Sequence, residues 1–574
     1  MAAKGTSEHL RDAPTTSDSY YDLGSFSRPV STNSKDAQLW FDRGLVWSYA
    51  FNHEESAECF RKASAIDPGC AMAYWGLAYA LGPNYNKPWE FFDGEELEST
   101  VTRTHAAVQK AKAEAINATA VEKALVEALE FRYPRSQVPA DCSVWNQPYA
   151  DSMRSVYNAF PDDLDVAALY ADALMNLSPW KLWDLSTGRP ASGAHTIEVK
   201  KVLDHALTLK AGLQHPGLLH LYIHLMEMSG SPELAMPIAD HLRGLIPDAG
   251  HLHHMPTHLD ILCGDFRRAI ASNTDAIRAD NRFLARAGPL NFYTLYRCHN
   301  YHFRLYAAMF AGQSRVALET AGWIEATVPE ALLRVSSPPM ADWLEAFHGM
   351  RVHALIRFGL WQEIFDLPLP KDQGLYCVTT ALIHYAKGVA LAATGRVEEA
   401  EKQRILFDDA MLRVKSTRTL FNNTCLDILA IARSMLDGEL EYRRRNFDAA
   451  FDHLRRSIAL DDALPYDEPW GWMQPPRHAY GALLLEQGHT ELAAAVYSAD
   501  LGFDDTLPRA LRHPNNVWAL HGYYECLMKL GRIAEARLIR PQLTHATAMA
   551  DIPIKFSCFC RTDHANGSTY DPSA

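Results

Sequence analysis

Large apolar and small residues recur along the chain in a register that repeats. From Trp40 to Pro68, Trp40, Gly44, Ser56, Phe60 and Ala63 stand at packing positions, and Asp67-Pro68 closes the unit. A new helix follows at once in Ala71-Met-Ala-Tyr-Trp-Gly-Leu-Ala78. Aligned on the small residue that opens a second helix, later segments place Ala235, Ala269, Ala317, Ala400, Ala450, Ala493 and Ala536 at one position. Five residues upstream, Gly264, Gly312, Gly395, Gly488 and Gly531 mark the turn between the two helices, where glycine terminates a helix readily. The pattern predicts helical hairpins stacked one after another.

This register resembles the tetratricopeptide repeat (TPR) family, from about Lys35 to Gln542. The resemblance implies an all-α fold, a TPR-like helical-hairpin solenoid wound into a right-handed superhelix, here with irregular insertions. Leu-Tyr-Ile-His ending at His224 and Gly-His-Leu-His-His-Met-Pro-Thr-His ending at His258 are similar to motifs of a His-rich TPR-like subgroup of bacteria and fungi, which brings no established reaction with it.

The predicted division runs from a disordered segment (1–35) through an N-terminal repeat (36–82) to irregular hairpins with long loops (83–215). His-rich repeats (216–330), C-terminal repeats (331–545) and a tail (546–574) follow. Helical segments are expected at Glu95–Ile116, Val121–Phe131 and Val166–Leu177. The Trp-, Pro- and Gly-containing stretch Ser178–Pro190 splits a helical pair, and Asp461–Pro476, with Trp470 and Trp472, interrupts the later repeats. Loops this long in a solenoid serve function, or else cap and brace the groove.

At 574 residues the chain exceeds one ordinary core, and its 48% hydrophobic content is ample for burial. A net charge of −14 without a long Lys/Arg run argues against nucleic acid or an anionic membrane as the main partner. Met1–Lys35 lacks the apolar core of a signal peptide, and no later stretch would span a bilayer. The ten cysteines include no CxxC pair; only Cys558 and Cys560 lie close together. A cytoplasmic protein with free thiols is the expectation.

The histidines change this picture. His220 and His224 are each followed 34 residues later by His254 and His258, and 34 residues is one TPR period. Residues four apart share a helix face. The resemblance implies that positions two, five, nine and twelve of each first helix face the concave groove. Counted from Pro216, Gly250 and Cys298, those positions hold His220, His224 and Glu227, then His251, His254 and His258, then His299 and His302. Imidazole is the commonest protein metal ligand. The expected ligands are His220, His224, His254 and His258, completed by His302 or Glu227, with His251 and His299 behind them; the alternative for so many candidates is two ions side by side.

Glu227 is alternatively a general base toward metal-bound water. The metal is a divalent transition ion such as zinc, iron or copper, which the ligand list does not separate. The bland alternative is a groove whose histidines hydrogen-bond a peptide or a small anion. His384, His478 and His521 read as ordinary packing residues, and Cys263 and Cys298 as core. Pro256 suits the first turn of a helix that begins near His254. Neither histidine pair fits HExxH, so a zincin-type protease is disfavoured. The function expected is a metal-dependent enzyme acting on a small organic molecule, as in specialised metabolism, with hydrolase, lyase and oxygenase types unresolved. A non-catalytic TPR scaffold holding a peptide partner in the concave groove, or a purely structural metal, is the alternative.

Overall fold

A computed structural model describes residues 20–561. The chain is an all-α, TPR-like helical solenoid in which consecutive helices pack as antiparallel hairpins. Lys35–Tyr49 opens the first hairpin, with the Ser34 hydroxyl capping the Ala37 N–H, and Asn52 caps His53–Ile66 in the same way. Phe60 is fully buried between Gly44 and Gly76. A Cβ at Gly76 would lie 2.3 Å from the Phe60 ring. Gly76→Ala should therefore cost about 1–3 kcal/mol through overpacking, read as a lower urea midpoint; an unchanged midpoint would show that the ring has room to shift.

The five glycines expected between paired helices all have positive φ, from 69° to 81°. The unit of Ala450 has Arg445 at the equivalent turn, and it adopts φ 65° without glycine. Four regular hairpins build the C-terminal part: Cys377–Ala393 with Val397–Met411, Cys425–Arg443 with Phe447–Asp462, Pro476–Glu486 with Thr490–Leu501, and Val517–Lys529 with Ile533–Met549. Before them, Glu330–Leu333, Met340–Leu344, Met350–Arg357 and Trp361–Phe365 are short pieces, not full-length repeats.

The ends depart from expectation. Residues 1–19 and 562–574 lie outside the described residues. Tyr20 to Ser34, assigned from composition to a disordered segment, is packed. Tyr21 and Leu23 are buried, the Tyr20 hydroxyl donates to Glu55 Oε1 (2.6 Å), and Arg28 bonds Asp163 and Asp165 (both 2.7 Å). A few aromatic and charged anchors outweigh the polar background of this stretch. The predicted tail likewise begins inside the last helix, and Arg561 Nη1 reaches Glu525 Oε2 at 2.8 Å. Cys558 and Cys560 form a disulfide, against the expectation of free thiols throughout; the other eight cysteines are free. Among the described residues no helix is long and apolar enough to cross a membrane.

Two small β-hairpins interrupt the helices. Trp183–Asp184 pairs with Arg189–Pro190 inside the first insertion. Thr419–Leu420 pairs with Asn423–Thr424, and at its tip Phe421 has φ 49°. The sequence pattern carried no sign of this second hairpin.

Candidate metal centre

Helix Pro216–Met226 starts with proline at its first position, and the His215 ring accepts the Leu218 N–H as cap. Every one of its residues is buried, so His220 and His224 stand in the interior. Glu227 follows at the helix end with helical φ and ψ.

The next histidine helix is in two pieces, Gly250–His254 and Pro256–Leu262. Its start is four residues earlier than expected. Pro256 takes the first position of the second piece, and Met255 between them keeps helical angles (φ −49°, ψ −42°). His254 and His258 therefore remain one turn apart on a continuous face. Gly250 is required at the start because Asp280 Oδ1 would lie 2.0 Å from any Cβ there. His299 and His302 project from Thr294–Phe310, also an almost wholly buried helix.

The protonation of each ring follows from its partners. His220 Nδ1 faces the Tyr49 carbonyl at 2.6 Å, and a carbonyl only accepts, so Nδ1 carries the proton. Asn273 donates its amide to Ala269 O and Thr257 Oγ1, which leaves Asn273 Oδ1 to accept from His254 Nδ1 at 2.8 Å. Glu227 takes one ring on each oxygen: His224 Nδ1 at 3.0 Å and His258 Nδ1 at 2.6 Å. His220 and His254 thus commit Nδ1–H to a protein acceptor, and His224 and His258 do so when Glu227 is ionised, each then turning a bare Nε2 inward. This is the arrangement that orients metal-ligating histidines.

Those Nε2 atoms have no adequate protein partner. His254 Nε2 and His258 Nε2 approach to 2.8 Å although both are lone-pair atoms. His220 Nε2 and His224 Nε2 make no hydrogen bond, nor does either nitrogen of His251, nor His299 Nδ1. The six rings are between 0 and 7% exposed. Each buried polar atom left unpaired costs about 1–3 kcal/mol, which a bound cation would offset. The imidazole ligand atoms fall into two sets, His220/His224/His251 and His254/His258/His299, and a third set, Glu227/His258/Glu468, shares His258; within each set the atoms lie within 4.8 Å of one another.

Burial lowers every one of these histidines, His224 and His254 to about 3, so all are neutral at physiological pH, the form that binds metal. Burial also raises Glu227 and Glu468 well above the carboxylate range, and the charge of Glu227 raises Glu468 further. Glu468 Oε2 lies 2.7 Å from His258 Nδ1, yet neither of its oxygens receives a hydrogen bond. Two carboxyl groups on one imidazole need a shared proton or a nearby cation.

Several expectations change here. His302 joins neither set: its Nε2 faces Met473 Sδ at 2.8 Å and its ring lies against Phe347. His251 and His299, expected behind the ligands, stand among the candidate ligand atoms. Glu227 has an imidazole Nδ1 at each oxygen and also stands in the third candidate set, with His258 and Glu468. Glu468 was missed altogether, since it lies over 200 residues away in a loop, where an isolated Glu-Pro carries no spacing signal. His384 and His478 are hydrogen-bonded packing residues, to Gln403 and to Asp500, while His521 Nδ1 is buried without a partner. Cys263 and Cys298 stand outside both sets, and Cys298 is fully buried.

The two insertions meet over the centre. Trp180 contacts His224 (ring centroids 5.6 Å) and Tyr466 (6.5 Å), and the Asp461–Pro476 stretch delivers Glu468. Phe51 packs over His220, His224 and His251, and Phe303 against His254 and His258. On one side the roof is open. A cavity of about 70 Å³ is lined by His258 and His299 with Trp180, Phe292, Tyr296, Trp343 and Phe421. Asn86, Lys87, Asn422 and Asp467 supply its polar groups.

No family model and no curated protein matches the chain in sequence. Among solved structures, a chain in the structure of Naa15/Naa10 bound to HypK-THB is similar over 90% of this chain and 71% of its own, at 13% identity and a TM-score of 0.21. A chain of the human IFIT1 dimer with PPP-AAAA is similar over 88% and 89%, at 10% identity and a TM-score of 0.30. Likenesses this remote carry no argument about what the chain does, which rests on the site itself.

Proposed function

We propose that this chain is a metal-dependent enzyme for a small, largely apolar organic molecule. The observation that carries this reading is the 2.8 Å approach of His254 Nε2 to His258 Nε2 with both Nδ1–H groups already committed. Two lone pairs at that separation repel, whereas two nitrogens bound to one transition ion stand about 3 Å apart (Zn–N is about 2.0–2.1 Å). His299 completes the set, and zinc, copper and iron all suit imidazole.

The same ligands favour catalysis over a purely structural metal. Structural sites are closed, whereas catalytic ones keep a position open, and His258 and His299 border the cavity. A bound ion there supplies Lewis acidity or an activated water or oxygen ligand. The chain's own groups do the rest: Trp180, Phe292, Tyr296, Trp343 and Phe421 bind and desolvate an apolar molecule, and Asp467 and Lys87 lie within reach of its polar groups. A peptide-gripping groove is disfavoured at this place, because the Trp180 insertion and the Glu468 loop occupy the trough. The net charge of −14 supports the absence of a nucleic-acid partner.

Elemental analysis of the untagged protein tests the reading. At least one equivalent of zinc, iron or copper is expected, with His254→Ala/His258→Ala losing metal while keeping its helical circular dichroism. Absence of metal after reconstitution with all three ions would refute it.

A further inference from the structure

The proposed reaction needs one ion, at the set that borders the cavity. The other three imidazoles are unexplained by it. His220 Nε2, His224 Nε2 and both nitrogens of His251 are buried without a partner, and the ligand atoms of these residues lie within 4.8 Å of one another. His220 and His224 are held by the Tyr49 carbonyl and by Glu227 so that Nε2 faces the other members of the set. None of the three lines the cavity. Phe51 stacks on His224 and His251 and lies 4.4 Å from His220, centroid to centroid, walling the set off.

We infer that His220, His224 and His251 hold a second transition-metal ion in an enclosed all-imidazole site beside the first. The inference rests on the metal-centre reading above and extends it to two ions of different access. One ion does not serve both sets. Six imidazoles exceed the three or four protein ligands that one such ion takes, and their ligand atoms gather in separate groups of three. Glu227 ties the two sites together, since its oxygens orient His224 of one and His258 of the other. With neutral imidazoles alone around it, the enclosed ion belongs to the borderline class that includes zinc, cobalt and copper, in preference to magnesium or calcium.

The test titrates the metal-free full-length protein with Zn²⁺ and then Co²⁺, reading stoichiometry and the cobalt d–d absorption. Wild type should take two equivalents. His251→Ala and, as a second variant of the same site, His220→Gln should each take one, with the remaining cobalt spectrum matching that of the cavity site. His299→Ala should also take one, carrying the complementary spectrum. One equivalent in wild type, retained in His251→Ala and lost in His299→Ala, would overturn the second site while leaving the proposed function standing. No equivalents in wild type would overturn both. Two equivalents retained in both His251→Ala and His220→Gln would overturn this assignment of ligands.

Discussion

Glu227→Ala is expected to weaken metal binding at both imidazole sets, by roughly 10–100-fold each, the usual cost of losing a group that orients a ligand. The reason is geometric. One carboxylate holds His224 at 3.0 Å and His258 at 2.6 Å, so its removal frees two rings from their tautomer at once. It also leaves the buried His224 N–H unpaired and His258 with Glu468 alone, in a site that is 1% exposed at Glu227. Glu227→Gln sharpens the test: its single acceptor oxygen serves one imidazole, and its NH₂ confronts the N–H of the other. Competition against a chromophoric chelator should show one set nearly preserved in Gln and both weakened in Ala. Equal, wild-type affinities in both variants would show that Glu227 orients neither ring.

Asp165→Ala should destabilise the fold by about 3–5 kcal/mol, the cost of stranding the partners of a buried ion pair. Asp165 is 7% exposed and accepts from Arg28 Nη1 (2.7 Å), the Tyr49 hydroxyl (2.6 Å) and His215 Nε2 (3.1 Å). Those three donors belong to the N-terminal strap, the first repeat and the cap of the first histidine helix, so one carboxylate fastens three segments beside the metal centre. Burial alone would raise its pKa, but His215, Arg28 and Tyr49 outweigh that and hold it well below the ordinary aspartate range. A depressed folded value means stability that is fully present above the unfolded pKa of about 3.9 and is lost as pH falls toward the folded one. Asp165→Asn should therefore narrow its deficit against wild type below about pH 4, in chemical denaturation followed across pH. A loss under about 1 kcal/mol in the alanine variant would mean that the strap is held elsewhere.

The legibility of this chain divides along physical lines. Helical hairpins were readable because packing at a helix interface leaves a local trace: a small residue where two helices approach, and a glycine five positions earlier where φ turns positive. Gly264, Gly312, Gly395, Gly488 and Gly531 all bear this out. Arg445 shows the limit, since a non-glycine residue carries the same turn with φ 65° and leaves no sign in composition. The strap Tyr20–Ser34 was misread because several of its anchors have partners far along the chain, up to 226 positions away.

By itself, the sequence determined that His220, His224, His254 and His258 share a face and a register, because helical periodicity and a 34-residue spacing are local properties. Only the tertiary structure decided which rings stand together, that His302 leaves the group for Met473, and that His251 and His299 join it. It also decided what stands behind each ring: the Tyr49 carbonyl, Asn273 and Glu227 fix the tautomers, and Glu468 arrives from a distant loop. A ligand set is a matter of angstroms between side chains on different helices, and such distances depend on how whole repeats pack, which no spacing along one chain records.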